Sequence, residues 1–231
     1  MRKYSAIIIE PRQHIALSFV LENICKNLSD EWLVIIMHGI NNIEFIDNII
    51  SNHLHKYRNR IAKINLFVDN LKLSEYNELL VSEYFYNKIP TEKFLVFQTD
   101  SMISEKNKEL INNFLDYDYV GAPWKDLTDG NHKYSVGNGG FSFRDKNACL
   151  ECIKNNKWDG CNEDMFFSKY ITNKPSIDEA KMFSIETIYS DKSFGTHKPW
   201  FYFYEHQINN LSEQFDGLDQ LMKLNYWEFY E

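Results

Sequence analysis

Trp32-Leu33-Val34-Ile35-Ile36-Met37-His38-Gly39 decides how this chain folds. Six apolar residues in a row are too few for a core helix. They fit a strand buried on both faces, closed by a polar residue and a glycine. Toward the N-terminus, His14 to Leu28 puts Leu17, Val20, Leu21 and Ile24 on one helical face, and Tyr4 to Ile9 is a second buried strand that ends in Glu10-Pro11-Arg12. Toward the C-terminus, the spacing of Ile46, Ile49 and Ile50 predicts a helix over Ile43 to Leu54. A third strand at Ile64 to Val68, a helix at Ser74 to Phe85 and a fourth strand at Phe94 to Phe97 follow. This βαβα order predicts an α/β protein with a mainly parallel sheet covered by helices on both faces. Such sheets bind ligands beyond the carboxyl ends of their strands, here residues 10–12, 38–39 and 98–100.

The second half is less regular. Asp118 to Ala122 suggests a strand, then a polar loop runs from Trp124 to Ser135, and Val136-Gly137-Asn138-Gly139-Gly140 turns into an alternating strand through Arg144. Helices are expected from Lys146 to Asn155, from about Asn162 and around Ser212 to Leu224. With 231 residues, 44% of them hydrophobic, and no repeat or linker, one compact domain is the economical reading. A net charge of -8 disfavours nucleic acid as a partner, and it means that a phosphate-bearing ligand must be met by a cation or a local cluster of donors. No run reaches the roughly 18 apolar residues of a membrane helix, and the short apolar stretch after Met1 is no signal peptide. The expectation is a cytoplasmic protein, or one whose targeting segment lies outside these residues. Cys25, Cys149, Cys152 and Cys161 lack the second close pair of a zinc site and read as reduced thiols.

Four constellations carry chemistry. Asp100 ends a buried strand, where one carboxylate can hold Mg²⁺ or Mn²⁺ beside a diphosphate; equally, it can cap the partly helical stretch from Ser101 to Leu115. Gly137-Asn138-Gly139-Gly140 lets backbone approach a ligand, or simply makes a tight turn. Glu163 and Asp164 open a helix whose dipole favours acids; one of the pair can face a cleft as general base while the other is held by neighbours. His197, in Gly195-Thr196-His197-Lys198-Pro199-Trp200, sits on a constrained loop suited to a neutral imidazole ligand, although a surface-loop histidine is the commoner case for any single His. Tyr117, Tyr119, Trp124, Trp200, Tyr202 and Tyr204 are available to stack on sugars or to fill the core. His53 and His55 read as solvated, and Lys56, Arg58 and Arg60 as an exposed basic face.

The order of these elements resembles a largely uncharacterised family of proteins of unknown function with the GT-A glycosyltransferase fold. The resemblance runs through 9–12, Glu31-Trp32, His38-Gly39 with Asn41 or Asn42, 76–80, 97–101, 117–124, 137–144, 163–167, 179–186 and 195–200. It implies a GT-A (Rossmann-like) domain over 1–231, with a nucleotide-binding half at 1–115 and an acceptor and catalytic half at 116–231. It further implies an enzyme of glycan biosynthesis that moves a sugar from a nucleotide-sugar, a UDP-sugar above all, to a glycan or other hydroxyl acceptor. Gln98-Thr99-Asp100 stands where such enzymes carry Asp-x-Asp; the first acid is replaced by Gln98, so Asp100 carries over as metal ligand, with His197 on the same Mn²⁺ or Mg²⁺. Asp164, with Glu163 beside it, matches the catalytic base of an inverting transfer. Glu10, Arg12, His38, Asn41, Gln98 and Thr99 would read the nucleotide, and Asn138, Gly139 and Gly140 would approach donor or acceptor. Arg144 would face phosphate or anchor its strand. Two rivals compete with this reading: a non-catalytic nucleotide- or glycan-binding module, which Gln98 favours, and a metal-dependent hydrolase using the same acids.

Overall fold

The computed structural model describes residues 2–125 and 136–226. The polar loop expected over 124–135 therefore lies outside the described residues from 126 onward. Four parallel strands form one side of the main sheet: β1 (Tyr4–Ile9), β2 (Trp32–His38), β3 (Ile61–Asn65) and β4 (Lys93–Phe97). Strand β5 (Ser101–Ile103) leaves this sheet, while β6 (Tyr119–Gly121) and β7 (Phe141–Asp145) complete it, β7 antiparallel to β4 and β6 antiparallel to β7. The order across the sheet is β3-β2-β1-β4-β7-β6. Helices α1 (Leu17–Asn27), α2 (Ile43–Asn52), α3 (Leu73–Leu80) and α4 (Glu83–Asn87) connect the parallel strands.

Both faces are buried, which is why β1 and β2 read as unbroken apolar runs. Ala6 and Ile8 pack with Val34, Ile36, Leu17, Leu21 and Ile24 on one face. Ile7 and Ile9 pack with Ile35, Met37, Phe85 and Tyr86 on the other, as the two-residue period of a strand requires. Cys149 and Cys152 fill this second core on α5 (Lys146–Asn155), and all four cysteines are free thiols. After α6 (Glu163–Tyr170) and α7 (Ile177–Phe183), two short strands, β8 (Ser184–Ile185) and β9 (Gly195–His197), join β5 in a second sheet of order β5-β9-β8. Helices α8 (Glu205–Gln214) and α9 (Leu218–Asn225) cover it through Ile208, Leu211, Leu218 and Leu221.

Several expected boundaries move, each for a local reason. The third strand begins at Ile61 and stops at Asn65, whose side-chain oxygen accepts a bond from the Phe67 amide and turns the chain, leaving Phe67 exposed at φ 58°. The helix expected from Ser74 to Phe85 breaks at Ser82, which caps α4 by accepting from the Phe85 amide. The helix expected around Ser212 to Leu224 is two, parted by Gly217 at φ 88°. No helix follows Asp100 directly: β5 does, and a 3₁₀ turn comes only at Lys108–Asn113. Arg60 also departs from the exposed basic face. It is buried, and its guanidinium donates to the carbonyls of Cys25, Leu28 and Ser29 where α1 ends. No described helix is long and apolar enough to cross a membrane.

Candidate active site

Strand β4 delivers Gln98, Thr99 and Asp100 to the carboxyl edge of the sheet, and the pairing of β5 with β9 fixes what meets them. Ser101 lies opposite His197 in that pairing, and the Lys198 amide donates to the Asp100 carbonyl. The His197 ring is 2% exposed and surrounded by oxygen. Its Nε2 is 3.2 Å from Gln98 Oε1 and 3.2 Å from Asp100 Oδ1, and its Nδ1 is 3.1 Å from Glu186 Oε1. Burial works against a charged imidazole, but the Asp100 and Glu186 carboxylates outweigh it and carry the His197 pKa up to about 9. Burial likewise opposes charge on Asp100, yet His197 and then Lys198 bring it down to about 2.

Asp100 Oδ1 lies in ion-pair range of the ring but off the N–H line, so this buried oxygen has no hydrogen-bond partner. An orphaned carboxylate oxygen, an amide oxygen and an imidazole nitrogen thus converge on one spot. Glu186 holds the opposite ring nitrogen, as carboxylates do behind metal-bound histidines. This donor set fits a divalent cation such as Mn²⁺ or Mg²⁺. Among the described residues no three His, Cys, Asp or Glu side chains group as a metal cluster, and the third group at this spot is the Gln98 amide.

A pocket of about 240 Å³ opens beside this spot, lined by Glu10, Arg12, Asn70, Tyr76, Gln98, Thr99 and Asp100 among others. Glu10 is buried and clasped by Arg12, whose Nε and Nη2 each donate to one of its oxygens at 2.9 Å. Asn42 braces the loop from below: its amide donates to the Glu10 and Arg12 carbonyls and its oxygen accepts from the Gly39 amide. Tyr76 accepts from the Gln98 amide nitrogen at 3.1 Å, which leaves Gln98 Oε1 directed at His197. His38 and Asn41 are not among the lining residues. His38 Nδ1 is 2.7 Å from the Gly39 carbonyl, and the Asn41 amide donates to Asp69.

The 137–140 turn forms the other wall. Gly140 has no room for a side chain, because a Cβ would overlap the His197 ring, and one on Gly139 would strike the Glu163 carboxylate. Asn138 Oδ1 accepts from the Gly140 amide and locks the turn. The Gly139 amide donates to Asp164 Oδ2 at 3.1 Å, and Asp164 Oδ1 accepts from the Met165 amide at 2.7 Å. Each Asp164 oxygen keeps one lone pair. Burial, then the neighbouring Glu163 charge, pushes the Asp164 pKa up to about 6.

Glu163 is arranged differently. Both its oxygens accept from Arg144, at 2.8 and 2.9 Å, in a pair buried beneath the turn. Arg144 therefore anchors rather than facing a ligand, and the pair leaves Glu163 bound up and Asp164 available. The two acids thus differ in their partners: Glu163 is paired with an arginine, and Asp164 accepts from two backbone amides. Tyr76, Asn70, Asn42 and Glu186 are the residues that sequence reasoning gave no role. Tyr76 and Glu186 stand in segments of the resemblance, but nothing in their local spacing points at the site.

A family model described as "Protein of unknown function (DUF5672)" matches residues 60–197. No curated protein matches. Among solved structures, an active-site mutant of LgtC superposes with a TM-score of 0.58 at 13% identity, covering 95% of this chain and 94% of that one. The glycosyltransferase GlyE of Streptococcus pneumoniae TIGR4 gives 0.55 at 10% identity, over 100% of this chain and 64% of GlyE. Mannosyltransferase PcManGT from Pyrobaculum calidifontis, in complex with GDP-Man and Mn²⁺, gives 0.52 at 10% identity, over 75% of this chain and 55% of that one. The chain thus spans less than two thirds of GlyE and of PcManGT. At these identities the likeness is one of fold, and the fold is the GT-A type of glycosyltransferases.

Proposed function

We propose that this chain, which belongs to the DUF5672 family, is a metal-dependent glycosyltransferase that moves a sugar from a UDP-sugar to an acceptor hydroxyl with inversion. One observation carries the reading: Asp100, His197 and Gln98 meet at the rim of the pocket closed by Glu10, Arg12 and Tyr76. The same His197 ring presses on Gly140, whose neighbour Gly139 holds Asp164. GlyE and PcManGT support the reading as transferases of the same fold.

In this scheme residues 1–115 hold the nucleotide and 116–231 the acceptor. Asp100, His197 and Gln98 would hold Mn²⁺ or Mg²⁺, an ion of the kind PcManGT carries with GDP-Man. When bound, it would neutralise charge gathering on the departing diphosphate. With the ion bound and the ring neutral, Glu186 would hold the remaining proton on Nδ1, so that the Nε2 lone pair is free for the metal. Asp164 takes the proton from the acceptor hydroxyl as that oxygen bonds to the anomeric carbon. The bond to diphosphate breaks on the opposite side, so the configuration inverts. Glu163 and Arg144 are positioning residues: they set the Gly139 turn against which Asp164 leans.

With Mn²⁺ and a UDP-sugar, slow donor hydrolysis is expected even without acceptor. Asp164→Asn should abolish transfer while metal-assisted UDP binding persists. Equal transfer by mutant and parent would end the base assignment. A second reading, a nucleotide-binding module without turnover, is favoured by the neutral amide of Gln98. It predicts UDP binding that a chelator leaves unchanged, measured by calorimetry.

A further inference from the structure

Near Asp164, beside Met165, the molecule opens into a cleft of about 840 Å³, in the range of roughly 300–1,000 Å³ typical of small-molecule sites. Four consecutive aromatic residues, Phe201 to Tyr204, line it, directly after Trp200. Trp200 and Phe203 turn inward onto the core of α8 and α9, and Phe203 packs edge-on against Tyr189 at 5.8 Å. Phe201, Tyr202 and Tyr204 turn outward and stand 54%, 49% and 77% exposed. Trp124 and Met165 face them across the gap. An exposed ring gains nothing from water, and three together on an anchored segment form a rigid apolar platform edged by two phenols.

The cleft and the site draw on neighbouring residues of the chain. Met165, in its wall, follows Asp164, and Thr187 follows Glu186. Tyr202 lies within the electrostatic reach of Glu186, Lys198 and Asp100, so the platform begins at the metal-side residues and leads away from them.

We propose that this aromatic cleft is the acceptor subsite and that its occupant is a neutral saccharide of at least two units. The inference rests on the transferase reading for its meaning, but not for its chemistry. A pyranose offers one apolar C–H face and a rim of hydroxyls, which match half-exposed rings carrying phenols. Apart from Lys125 the lining residues are uncharged, which suits a neutral occupant, and the net charge of -8 disfavours an anionic lipid headgroup or an acidic peptide.

Saturation-transfer NMR tests it, with lactose, maltose, cellobiose and chitobiose as sugar probes and an octyl sulfobetaine as the alkyl probe. At least one disaccharide is expected to receive saturation on its ring C–H face. Phe201→Ala and Tyr204→Ala should each weaken that binding roughly three- to tenfold, the loss of one ring contact. Binding of the alkyl chain alone would overturn the proposal in favour of a lipid acceptor. Silence from all five probes, or sugar binding that both variants retain, would also overturn it. Donor hydrolysis by the parent protein is measured beside it. Sugar binding without hydrolysis sinks the transferase and leaves the cleft; hydrolysis without sugar binding does the reverse.

Discussion

Glu163→Gln separates the two acids at the head of α6 by their different costs. Glu163 and Arg144 are almost wholly excluded from solvent and joined by two bonds of 2.8 and 2.9 Å, with the guanidinium 5.1 Å from the Tyr119 ring and 5.5 Å from that of Phe167. The carboxylate keeps Arg144 charged, its pKa held well above the ordinary value even though burial opposes the charge. Glutamine has nearly the same shape but removes the counter-charge and turns an N–H₂ toward a donor. Removing one partner of a buried pair costs about 3–5 kcal/mol. For a chain of this size each kcal/mol lowers the melting temperature by about 2–4 °C, so a fall of roughly 6–20 °C is expected. Adding Arg144→Met should recover most of the loss, since a flexible apolar chain fills the space between the rings without an unpaired charge. Thermal melting and urea titration of the parent, both single variants and the double variant give the coupling. A Glu163→Gln protein that melts with the parent but no longer transfers sugar would refute the reasoning and give the base role to Glu163.

The other expectations concern the reacting edge. Asp164 is active as a carboxylate and its pKa is raised to about 6, so kcat/KM should climb as pH rises to that value and level above it; a rate already level near pH 4, the ordinary carboxylate range, would contradict this. Glu186→Gln loosens the His197 ring and should weaken Mn²⁺ binding, read as the metal-dependent thermal shift in the presence of UDP, by about 10- to 100-fold; an unchanged titration would remove Glu186 from the site. Gly140→Ala drives a methyl into the His197 imidazole and should abolish the same shift, while near-parental Mn²⁺ binding would mean that the turn yields.

The parallel half of the fold was legible because β1, β2 and β4 are buried on both faces, and only a long apolar run satisfies that. What escaped was short or non-local. Strands β8 and β9 have two and three residues, too few to show a period, and β9 pairs with a segment far back in the chain, Ser101 opposite His197 and Ile103 opposite Gly195. Helix breaks depended on one side chain at Ser82 and one left-handed glycine at 217. In the candidate site, Asp100 is legible because a strand end announces itself, and Asp164 because it stands in the first turn of a helix. Arg144 was undecidable in sequence, since a charge within an alternating strand points to either face until its partner across the fold is known.

That distant pairing has a consequence for assembly. Residues 98–100 belong to the locally connected half, whose strands and helices follow one another and can form early. The imidazole waits for β9 to dock on β5, a closure that spans much of the chain. On the proposed function, the histidine donor to the cation would therefore arrive after the carboxylate and amide donors. On the proposed function, a partly folded molecule would have the cradle for a nucleotide without the means to break a sugar-phosphate bond, and reactivity would be withheld until the architecture is complete.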